Sequence, residues 1–362
     1  MIQVLTQLDE ATLGEVKAFL AALSEEQGAC QEHDPRWLAV LRDALGHEPI
    51  VLIARQAEAG ATPGGASRSG PIVGYLPLAL VKSRLFGRYL VSLPYLNRAG
   101  VVAGDAEVAA ALIARAVELA KEHDTKYLEL RHGSPVEHAA LGSRRADKFR
   151  MLLKLPPGEE ALMKAVGPKV RNLIRKGDKH NLSIRWGGAD VLDDFYDIFA
   201  VNMRDLGTPV YSRRLFGQIV SQFAGEAELC VVDFEKKPVA GALLVHDPIR
   251  KVTQVPSASA LRDFNHTSAN MWMYSKLLLK AMERGSTHFD FGRSSADSGT
   301  YKFKEQWGAL PQPTVWQYHV RVGDIGAMRP DNPKYQRRIA IWQKLPVWLT
   351  RLVGPSIVRG IP

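Results

Sequence analysis

The residues best suited to chemistry lie in one short segment near the end of the chain. In FDFGRSSADSGTYKFKEQWGA, residues 289–309, an apolar strand pattern runs into Gly, Ser and Asp residues. Ligands in α/β proteins bind where strands end, and glycine lets backbone N–H groups approach an anion closely. The segment therefore predicts an anion-binding site with contacts from Arg293, Ser294, Tyr301 and Trp307. A solvated loop followed by an ordinary helix fits the same pattern.

Two carboxylates in this segment are candidates for proton transfer. Asp290 or Asp297 could act as a general base, and Asp290 is the catalytic candidate, although its place in a strand pattern also fits a structural role. The ten His residues show no HxxxH or HExxH spacing, and the chain has no nucleophile elbow or phosphate-binding P-loop. The sequence therefore predicts no metal site.

A basic, amphipathic segment lies about 120 residues earlier in the chain. In GPKVRNLIRKGDKHNLSIR, residues 167–185, Arg171, Arg175 and Lys179 recur every four residues and so share one helix face. Residues 163–185 hold seven Lys or Arg against one Asp. Local positive charge favours anionic partners such as phosphates, so this face is a candidate substrate-binding surface. A solvated basic face is the alternative.

A third segment, SASALRDFNHTSANMWMYSKLL, places polar residues at a predicted helix start. Thr267 or Ser268 is a candidate helix cap. The N–H groups at a helix start attract anions, so Arg262, His266 and Asn270 are candidate substrate contacts.

The elements that must position these residues alternate between helix and strand, which predicts α/β layers. Helices are predicted at 34–45, 107–121, 164–179, 191–206, 213–223 and 269–283. Strands are predicted at 50–54, 72–81, 89–93, 127–131, 228–234, 239–246, 252–257 and 288–291. The small and polar residues 57–71 predict a long mobile hairpin loop.

The two halves of the chain show the same order of elements. Gly74 and Gly241 each lie early in the second strand of a strand pair, and Glu129 and Asp290 each lie in an aromatic–acid–apolar strand. The nearly constant spacing predicts an internal duplication, with domains at 1–150 and 151–323 and a tail at 324–362. Two unrelated α/β units would also look alike at this level.

Composition bounds the class of protein. The 362 residues are 46% hydrophobic and 23% charged, as in globular proteins, and the net charge of +9 favours anionic partners. Only two cysteines occur, and they are far apart, so neither a disulfide framework nor a zinc site is predicted. No apolar run reaches the length of a signal-peptide core or a membrane span. We expect a cytoplasmic location.

The last segment, residues 334–360, mixes apolar residues with cations. It contains Trp342, Leu345, Trp348, Leu349 and Leu352 together with Arg337, Arg338, Lys344 and Arg351. Such a segment can lie on an anionic membrane surface. Pro346 interrupts a single continuous helix, and docking onto the body of the protein is the alternative.

The segment TYKFKEQWG, residues 300–308, resembles the Tyr-x-Phe-Lys element of the Fem-type peptidoglycan aminoacyltransferases. From about Asp34 to Gly323 the chain resembles the FemAB-like proteins associated with exosortase (PEP-CTERM) systems, within the GNAT superfamily. The resemblance implies an α/β fold of two tandem GNAT-like domains, with mixed central sheets flanked by helices.

The family's Phe–Lys pair corresponds to Phe303 and Lys304. The resemblance implies that Lys304 stabilises the negative charge developing on the donor carbonyl, and that Phe303 packs beside it and excludes water. The glycine-rich coenzyme A loop of GNAT enzymes has no counterpart in HTSAN, residues 266–270. No tightly bound cofactor is implied, and the donor, aminoacyl-tRNA or acyl-CoA, stays open.

The leading hypothesis is an enzyme that transfers an acyl or aminoacyl group to an amine. Its acceptor would be a phosphate-bearing small molecule or a lipid-linked precursor of the cell envelope, an exopolysaccharide or peptidoglycan. Transfer RNA is a candidate partner, and the enzyme would lie in the cytoplasm or peripherally at the inner membrane. The alternatives are an acyl-CoA-dependent N-acyltransferase and a non-catalytic GNAT scaffold at the membrane. We expect the second half to hold the chemistry; the sequence leaves the oligomeric state open.

Overall fold

The computed structural model describes residues 1–56, 70–326 and 333–362, with the side chains of all of these except 333–335. These residues divide into two compact units. Unit 1 is Met1–Ala146 with Pro313–Met328 and Arg359–Pro362, and unit 2 is Asp147–Gln312 with Arg329–Val358. The expected mobile loop at 57–71 lies, except for its last two residues, outside the described residues.

The elements up to Lys154 include those predicted at 34–45, 50–54, 72–81, 89–93, 107–121 and 127–131. Four more, at 2–5, 10–22, 102–103 and 143–154, were not predicted. The helices are α1 (Glu10–Ala22), α2 (Arg36–Leu45) and α3 (Ala106–Glu122). The strands are β1 (Ile2–Leu5), β2 (Glu48–Arg55), β3 (Ile72–Ser83), β4 (Gly87–Val91), β5 (Val102–Ala103), β6 (Tyr127–His132) and β7 (Ser143–Lys154). Aspartates cap two of the helices: Asp9 accepts the N–H of Thr12, and Asp105 that of Val108, both at 2.8 Å.

The second part of the chain also alternates between helices and strands. Its helices are α4 (Glu159–Ala165), α5 (Pro168–Lys179), α6 (Leu192–Asp205), α7 (Arg213–Gln222), α8 (Ala269–Glu283), α9 (Gly299–Glu305), α10 (Pro333–Trp342) and α11 (Val347–Val358). Its strands are β8 (Ser183–Gly187), β9 (Ala227–Phe234), β10 (Lys237–Asp247), β11 (Val252–Ala260), β12 (His288–Ser295) and β13 (Leu310–Val320).

One predicted helix is two helices in the structure. The pattern at 164–179 predicts a continuous helix, whereas α4 ends at Ala165 and α5 begins at Pro168. Proline has no N–H to continue a helix, but it suits the first helical position, where that N–H would have no partner. The break therefore follows from Gly167–Pro168, and α5 is a separate basic helix.

The sheet of unit 1 has the order β1-β2-β3-β4-β6-β13, with β5 beside β3. The β4–β6 pair is parallel, and the others are antiparallel. Helix α3 packs on one face, where its apolar residues meet alternate residues of β3 such as Leu76 and Leu78. This alternation is the expected period of two for a strand with one face covered.

The sheet of unit 2 has the order β7-β12-β11-β10-β9-β8, again with one parallel pair, β11–β12. Helices α5 and α8 pack on one face, where Trp272 and Leu277 join the core. Helix α6 packs on the other face, and Gly241 of β10 allows Phe195 and Ile198 to approach closely. The functional segments thus lie on a sheet covered on both faces.

Neither unit is a continuous stretch of chain. Strand β7 comes from the first half of the sequence but pairs in the sheet of unit 2, and β13 comes from the second half but pairs in the sheet of unit 1. Strand β7 follows β6 in the sequence but pairs with β12, and β13 follows β12 but pairs with β6. The units therefore differ from the contiguous domains predicted at 1–150 and 151–323. Strand pairing is set by partners distant in sequence, which a local hydrophobic pattern does not encode.

Candidate active site

Strands β11 and β12 open a gap in the sheet of unit 2. They pair in parallel only from Val252 with His288 to Gln254 with Asp290, among the residues described. Beyond this point β11 continues along β10, and β12 continues along β7. Where two strands separate, backbone N–H and C=O groups that would have paired become available to a ligand. The gap lies towards the carboxyl ends of both strands, where α/β folds bind ligands.

A β-bulge reshapes β12 at the edge of this gap. The register of β12 against β7 shifts between Asp290 and Arg293, and Gly292 has a φ of 74°. A bulge inserts an extra residue into one strand and changes the direction of its backbone groups, and glycine adopts the left-handed conformation without strain. The Gly292 N–H donates to Asp290 Oδ1 at 2.8 Å, which holds the bulge in place.

Lys304 donates to the two carbonyl groups that follow the bulge. Its Nζ lies 3.2 Å from the Gly292 oxygen and 3.0 Å from the Arg293 oxygen. The lysine is on α9, whose start is capped by Ser298, which accepts the Tyr301 N–H at 3.2 Å. An ammonium has three donors, so these two bonds fix its position and use two of the three donors.

The environment of Lys304 makes its charge responsive to pH. The side chain is buried, with the residue only 7% exposed. Burial disfavours the charged form and lowers the pKa to about 8; Asp290 opposes this and Arg293 adds to it. The ammonium is therefore the main form at neutral pH, in a poorly solvated position where a fixed charge interacts strongly with a developing oxyanion.

The contacts of Asp290 favour a structural role over proton transfer. The residue is 3% exposed, and Arg150 Nε donates to its Oδ2 at 2.6 Å. Its other oxygen accepts the Gly292 N–H, so both oxygens already accept hydrogen bonds. Arg150 also reaches Gln312, at 3.1 Å. This buried pair joins β7 to β12 and supports the bulge that presents carbonyls to Lys304.

Aromatic rings surround the lysine on α9. Phe303 packs edge-on against Tyr274 of α8, with ring centroids 4.8 Å apart, and Tyr274 stacks on Phe291 of β12 at 5.6 Å. Tyr301 meets Phe149 of β7 at 6.3 Å. The predicted neighbours of Lys304 therefore lie together in an apolar wall that joins α8, α9 and two strands.

Two buried polar groups in the same region have no hydrogen-bond partner among the described residues. They are the Ser294 hydroxyl on β12 and the Trp307 indole N–H, just after α9. A buried donor without a partner costs free energy, so each is a candidate contact for a bound substrate or water. Both residues belong to the predicted site.

Asn270 lies in the first turn of α8, one turn before Tyr274 and on the same helix face. The helix begins after Ser268, which has a left-handed φ of 62°. Thr267 Oγ1 accepts the Ala269 N–H at 3.2 Å. Thr267 thus accepts a hydrogen bond from the first turn of the helix, as a helix cap does. It lies one residue before the usual capping position, which Ser268 occupies.

The predicted substrate-binding face of α5 is only partly available. The Arg171 guanidinium donates to the carbonyls of Met163 and Val166, the former at 3.2 Å, so it holds the end of α4 against α5. Arg175 and Lys179 are exposed, as are Lys169 and Lys176. The structure therefore separates Arg171, which supports the turn, from the solvent-facing cations.

Within the third predicted segment, His266 lies at the carboxyl end of α5 and Arg262 lies elsewhere. The His266 ring lies 5.8 Å from the ring of His180, the residue after Lys179, and 6.0 Å from Phe234. Arg262 donates to the Asp205 carbonyl at 3.3 Å. His266 is thus close to the basic helix, whereas Arg262 is tied to the end of α6.

Sequence reasoning missed Arg150 and Tyr274 as parts of the site. Arg150 lies in SRRADKFRMLLK, where nothing local distinguishes it from its neighbouring cations. Tyr274 follows the helical pattern of α8 and reads as an ordinary core residue. Both take their roles from partners on other elements, Asp290 for the arginine and Phe303 for the tyrosine.

In unit 1 an arginine bridges the corresponding strands. Strands β4 and β6 pair in parallel at Leu90 with Leu128 and Val91 with Glu129. Arg131 donates to Glu129 Oε1 at 2.7 Å and to the Leu96 carbonyl beyond β4. Its guanidinium lies 4.0 Å from the centroid of the Trp316 ring. A buried, paired arginine therefore occupies the place where unit 2 keeps its gap.

The fold is that of tandem GNAT proteins, with one mixed sheet and flanking helices in each unit, which confirms the predicted fold class. Residues 168–305 match the family model described as acetyltransferase (GNAT) domain. This segment contains the gap, the basic helix α5 and Lys304. Comparison with curated proteins gave no match.

Solved structures with low sequence identity share this fold over most of the chain. The FemX crystal structure is 14% identical, with a TM-score of 0.62, and the alignment covers 92% of this chain and 99% of FemX. A tandem GNAT protein from the clavulanic acid biosynthesis pathway is 16% identical, with a TM-score of 0.52 and coverages of 90% and 100%. The C-terminal domain of a provisionally assigned lysylphosphatidylglycerol synthetase from Agrobacterium fabrum is 13% identical, with a TM-score of 0.51 and coverages of 85% and 92%.

Proposed function

We propose that unit 2 transfers an acyl or aminoacyl group to an amine, with the Lys304 ammonium stabilising the oxyanion that forms. The observation that carries this proposal is the position of Lys304. Two bulge carbonyls at the edge of the gap between β11 and β12 fix its Nζ and use two of its three donors. The acyltransferase domain model covers this region.

The chemistry needs orientation and charge stabilisation rather than a protein nucleophile. The amine nitrogen of the acceptor forms a bond to the acyl carbon, and the carbonyl electron pair moves to oxygen. Lys304 donates a hydrogen bond to that oxygen while the charge is present. The intermediate then expels the thiolate of coenzyme A or the ribose oxygen of a tRNA, and the proton from nitrogen passes to the leaving group.

The donor is proposed as acyl-CoA, with aminoacyl-tRNA as the second candidate. Acyl-CoA is supported by the acetyltransferase domain match. Aminoacyl-tRNA is supported by the similarity in fold to a protein named as a lysylphosphatidylglycerol synthetase, and by the absence of glycine from the turn HTSAN before α8. In either case the donor is a co-substrate that leaves after each turnover.

The acceptor is proposed as a phosphate-bearing, cell-envelope type of precursor. The exposed cations Arg175 and Lys179 of α5 supply the charge for its phosphate. His266 lies beside the end of the same helix through His180. Arg171 is left out of this role because its guanidinium donates to the end of α4.

A matched pair of lysine substitutions tests the catalytic proposal. Lys304→Met keeps the length and apolar packing of the buried side chain but removes the ammonium. Loss of one oxyanion-stabilising donor lowers kcat by about 100–1,000-fold. Lys302→Met on the same helix is the control, because that side chain is exposed. The measurement is turnover with both a donor and an acceptor amine present, with the folded state checked by circular dichroism; equal activities of the two variants would sink the assignment.

Ligand-induced stabilisation separates the donor classes and the scaffold alternative. A compound that binds only the folded state raises Tm. Acetyl-CoA, a long-chain acyl-CoA, an aminoacyl-tRNA and a nucleotide-sugar peptide would each be titrated against the full chain. We expect a shift with one donor class and with the phosphate-bearing acceptor, the latter reduced by Arg175→Gln. No shift with any of the four favours the non-catalytic scaffold.

A further inference from the structure

Helices α10 and α11 carry exposed apolar side chains on a surface of unit 2. Ile341, Trp348 and Leu352 are 62%, 67% and 70% exposed. Trp348 and Leu352 lie four residues apart and so share one face of α11. Large exposed apolar groups that lie together mark a surface for a partner or a membrane.

Helix α10 is held by its opposite face. Ile339 and Gln343 pack against Gly207, just after α6, where the absence of a side chain makes room for them. Gln343 Nε2 donates to the Asp205 carbonyl, and Arg204 Nη1 donates to the Leu345 carbonyl, both at 3.1 Å. Ile339 and Ile341 point in different directions around the helix, so this docking leaves Ile341 exposed.

Helix α11 is also anchored on one side. Arg351 pairs with Asp197 of α6 and lies over the Tyr196 ring, 4.9 Å from its centroid. Gly354 approaches Val210 closely, and Thr350, Gly354 and Val358 are buried. One face of α11 thus packs on the rest of unit 2, as the predicted alternative of docking onto the protein body requires. The face that contains Trp348 and Leu352 is exposed.

Cations surround the exposed apolar residue of α10. Arg337, Arg338 and Lys344 lie four and three residues before Ile341 and three residues after it, spacings that place them around the same side. All three side chains are exposed. The only charged residue within α11 is Arg351, which is already paired with Asp197. Helix α10 therefore presents Ile341 among cations, and α11 presents Trp348 and Leu352 on a face without an unpaired charge.

We propose that this α10–α11 surface binds the anionic face of a lipid bilayer, with Ile341, Trp348 and Leu352 entering the interface and Arg337, Arg338 and Lys344 meeting lipid phosphates. Apolar burial and attraction to anionic headgroups together hold interfacial helices on membranes. A symmetric pairing of two copies would bring the cations of both chains together, which opposes self-association. The proposal does not depend on the proposed catalytic function.

Vesicle co-sedimentation with the full chain tests the charge requirement. The vesicles contain phosphatidylcholine alone or with 30–40% phosphatidylglycerol (about the anionic content that gives a strong surface potential). We expect about 100-fold weaker binding to the anionic vesicles when Arg337→Gln, Arg338→Gln and Lys344→Gln are combined. Loss of each single cation contributes a roughly tenfold or smaller decrease in affinity. Lys17→Gln, Lys121→Gln and Arg144→Gln, exposed cations of unit 1, form the control and should bind as the unmodified chain does.

The apolar requirement has its own pair of variants. Trp348→Ser with Leu352→Ser should reduce binding at least about tenfold. Ile249→Ser is the control, because Ile249 is 63% exposed in the turn between β10 and β11. Trp348→Phe keeps the apolar face but should remove the tryptophan quenching that brominated lipids produce at the interface. Sedimentation velocity without lipid is expected to be the same for all variants.

Three results would overturn the proposal. The first is equal binding to neutral and anionic vesicles, and the second is equal loss in the test and control variants. The third is a change of oligomeric state in the Trp348 and Leu352 variant without loss of vesicle binding, which would assign the surface to a second copy of the chain.

Discussion

Lys304 is the residue on which the proposed chemistry depends, and its position comes from the backbone around it. The bulge at Gly292 supplies two carbonyl acceptors, and the Arg150–Asp290 pair holds the strand that contains the bulge. A buried lysine with a lowered pKa is typical of functional sites. Its geometry is what makes it a good donor to a substrate oxygen.

The pH dependence of turnover tests the protonation state that Lys304 needs. Burial lowers its pKa to about 8 from the usual 10.5, so the ammonium is lost as pH rises through about 8. If the cation stabilises the oxyanion, kcat falls above that pH. Lys304→Arg keeps a cation at all these pH values and should lose the alkaline fall while retaining reduced activity. A rise of kcat through pH 8 in the unmodified enzyme, absent from the arginine variant, would instead show that the neutral amine is the active form.

The same pKa has a consequence for stability with a definite sign. The folded-state pKa of about 8 is below the unfolded value near 10.5, so between these pH values the unfolded chain binds more protons at this site. The contribution of Lys304 to the free energy of unfolding therefore rises as pH increases from 8 to 10.5. Denaturant unfolding of Lys304→Met should lack that contribution, since methionine does not titrate.

At this scale the sequence predicted which residues would lie together better than it predicted what each would do. The cluster of Phe303, Tyr301 and Trp307 around Lys304 follows from their closeness along one short helix and the turn after it. Asp290 was a candidate base, yet its oxygens accept from Arg150 and Gly292. Arg171 was a candidate substrate contact, yet it supports α4. Both contacts depend on distances across the fold that spacing does not reveal.

Among the elements, α5 depends on close packing against α8. Gly177 faces Trp272, and a methyl group at Gly177 would lie 2.6 Å from three atoms of that side chain. The Trp272 indole also donates to Asp178 at 2.8 Å. The basic helix is therefore positioned by the buried Gly177 and by Asp178, which accepts the Trp272 indole N–H, while most of its cations are exposed.

The substitution Gly177→Ala should destabilise unit 2. Overpacking in a core costs about 1–3 kcal/mol, and α5 must move away from α8 to relieve it. Gly14→Ala in α1 is the matched control, because nothing lies within 4 Å of the added methyl group and alanine favours a helix by about 0.5–1 kcal/mol over glycine. Urea unfolding of both variants provides the comparison. Equal stabilisation by the two alanines would mean that the close approach of α5 and α8 is absent in solution.

Of the two internal parallels that predict duplication, Glu129 and Asp290 occupy equivalent positions in the two units, whereas Gly74 and Gly241 do not. Glu129 and Asp290 both lie at the last paired position of the parallel strands, and each binds a buried arginine. Gly74 approaches α3, the helix that follows β5, whereas Gly241 approaches α6, a helix on the opposite face from α8. A shift of one residue in a strand reverses its faces, so the true counterpart of Gly74 is a neighbour of Gly241. Spacing alone cannot resolve a difference of one residue.

On the scale of the whole molecule, the order of elements was predictable and the division into units was not. The helical and strand periods predict most of the elements between α2 and α9, but not strands β5, β7 and β8. The pairing of β7 with β12 and of β13 with β6 could not be predicted, because neither β7 nor β13 was predicted as a strand. The partner also lies more than 130 residues away for β7 and more than 170 for β13.

Unit 1 has a buried arginine at the place where unit 2 has a gap between strands. We therefore expect a substitution in unit 1 to change stability and one in unit 2 to change activity. Arg131→Met in unit 1 leaves the buried Glu129 without its partner, and breaking a buried ion pair in this way costs about 3–5 kcal/mol. We expect the stability of unit 1 to fall while kcat per folded molecule stays unchanged, since Arg131 bridges strands that lack a substrate gap. Adding Glu129→Gln removes the uncompensated charge and should recover part of the loss. Lys304→Met should show the opposite pattern, with kcat lost and stability kept. Thermal unfolding and turnover measured on the same samples make the comparison, and a loss of kcat in the folded Arg131 variant would show that unit 1 shares in the chemistry.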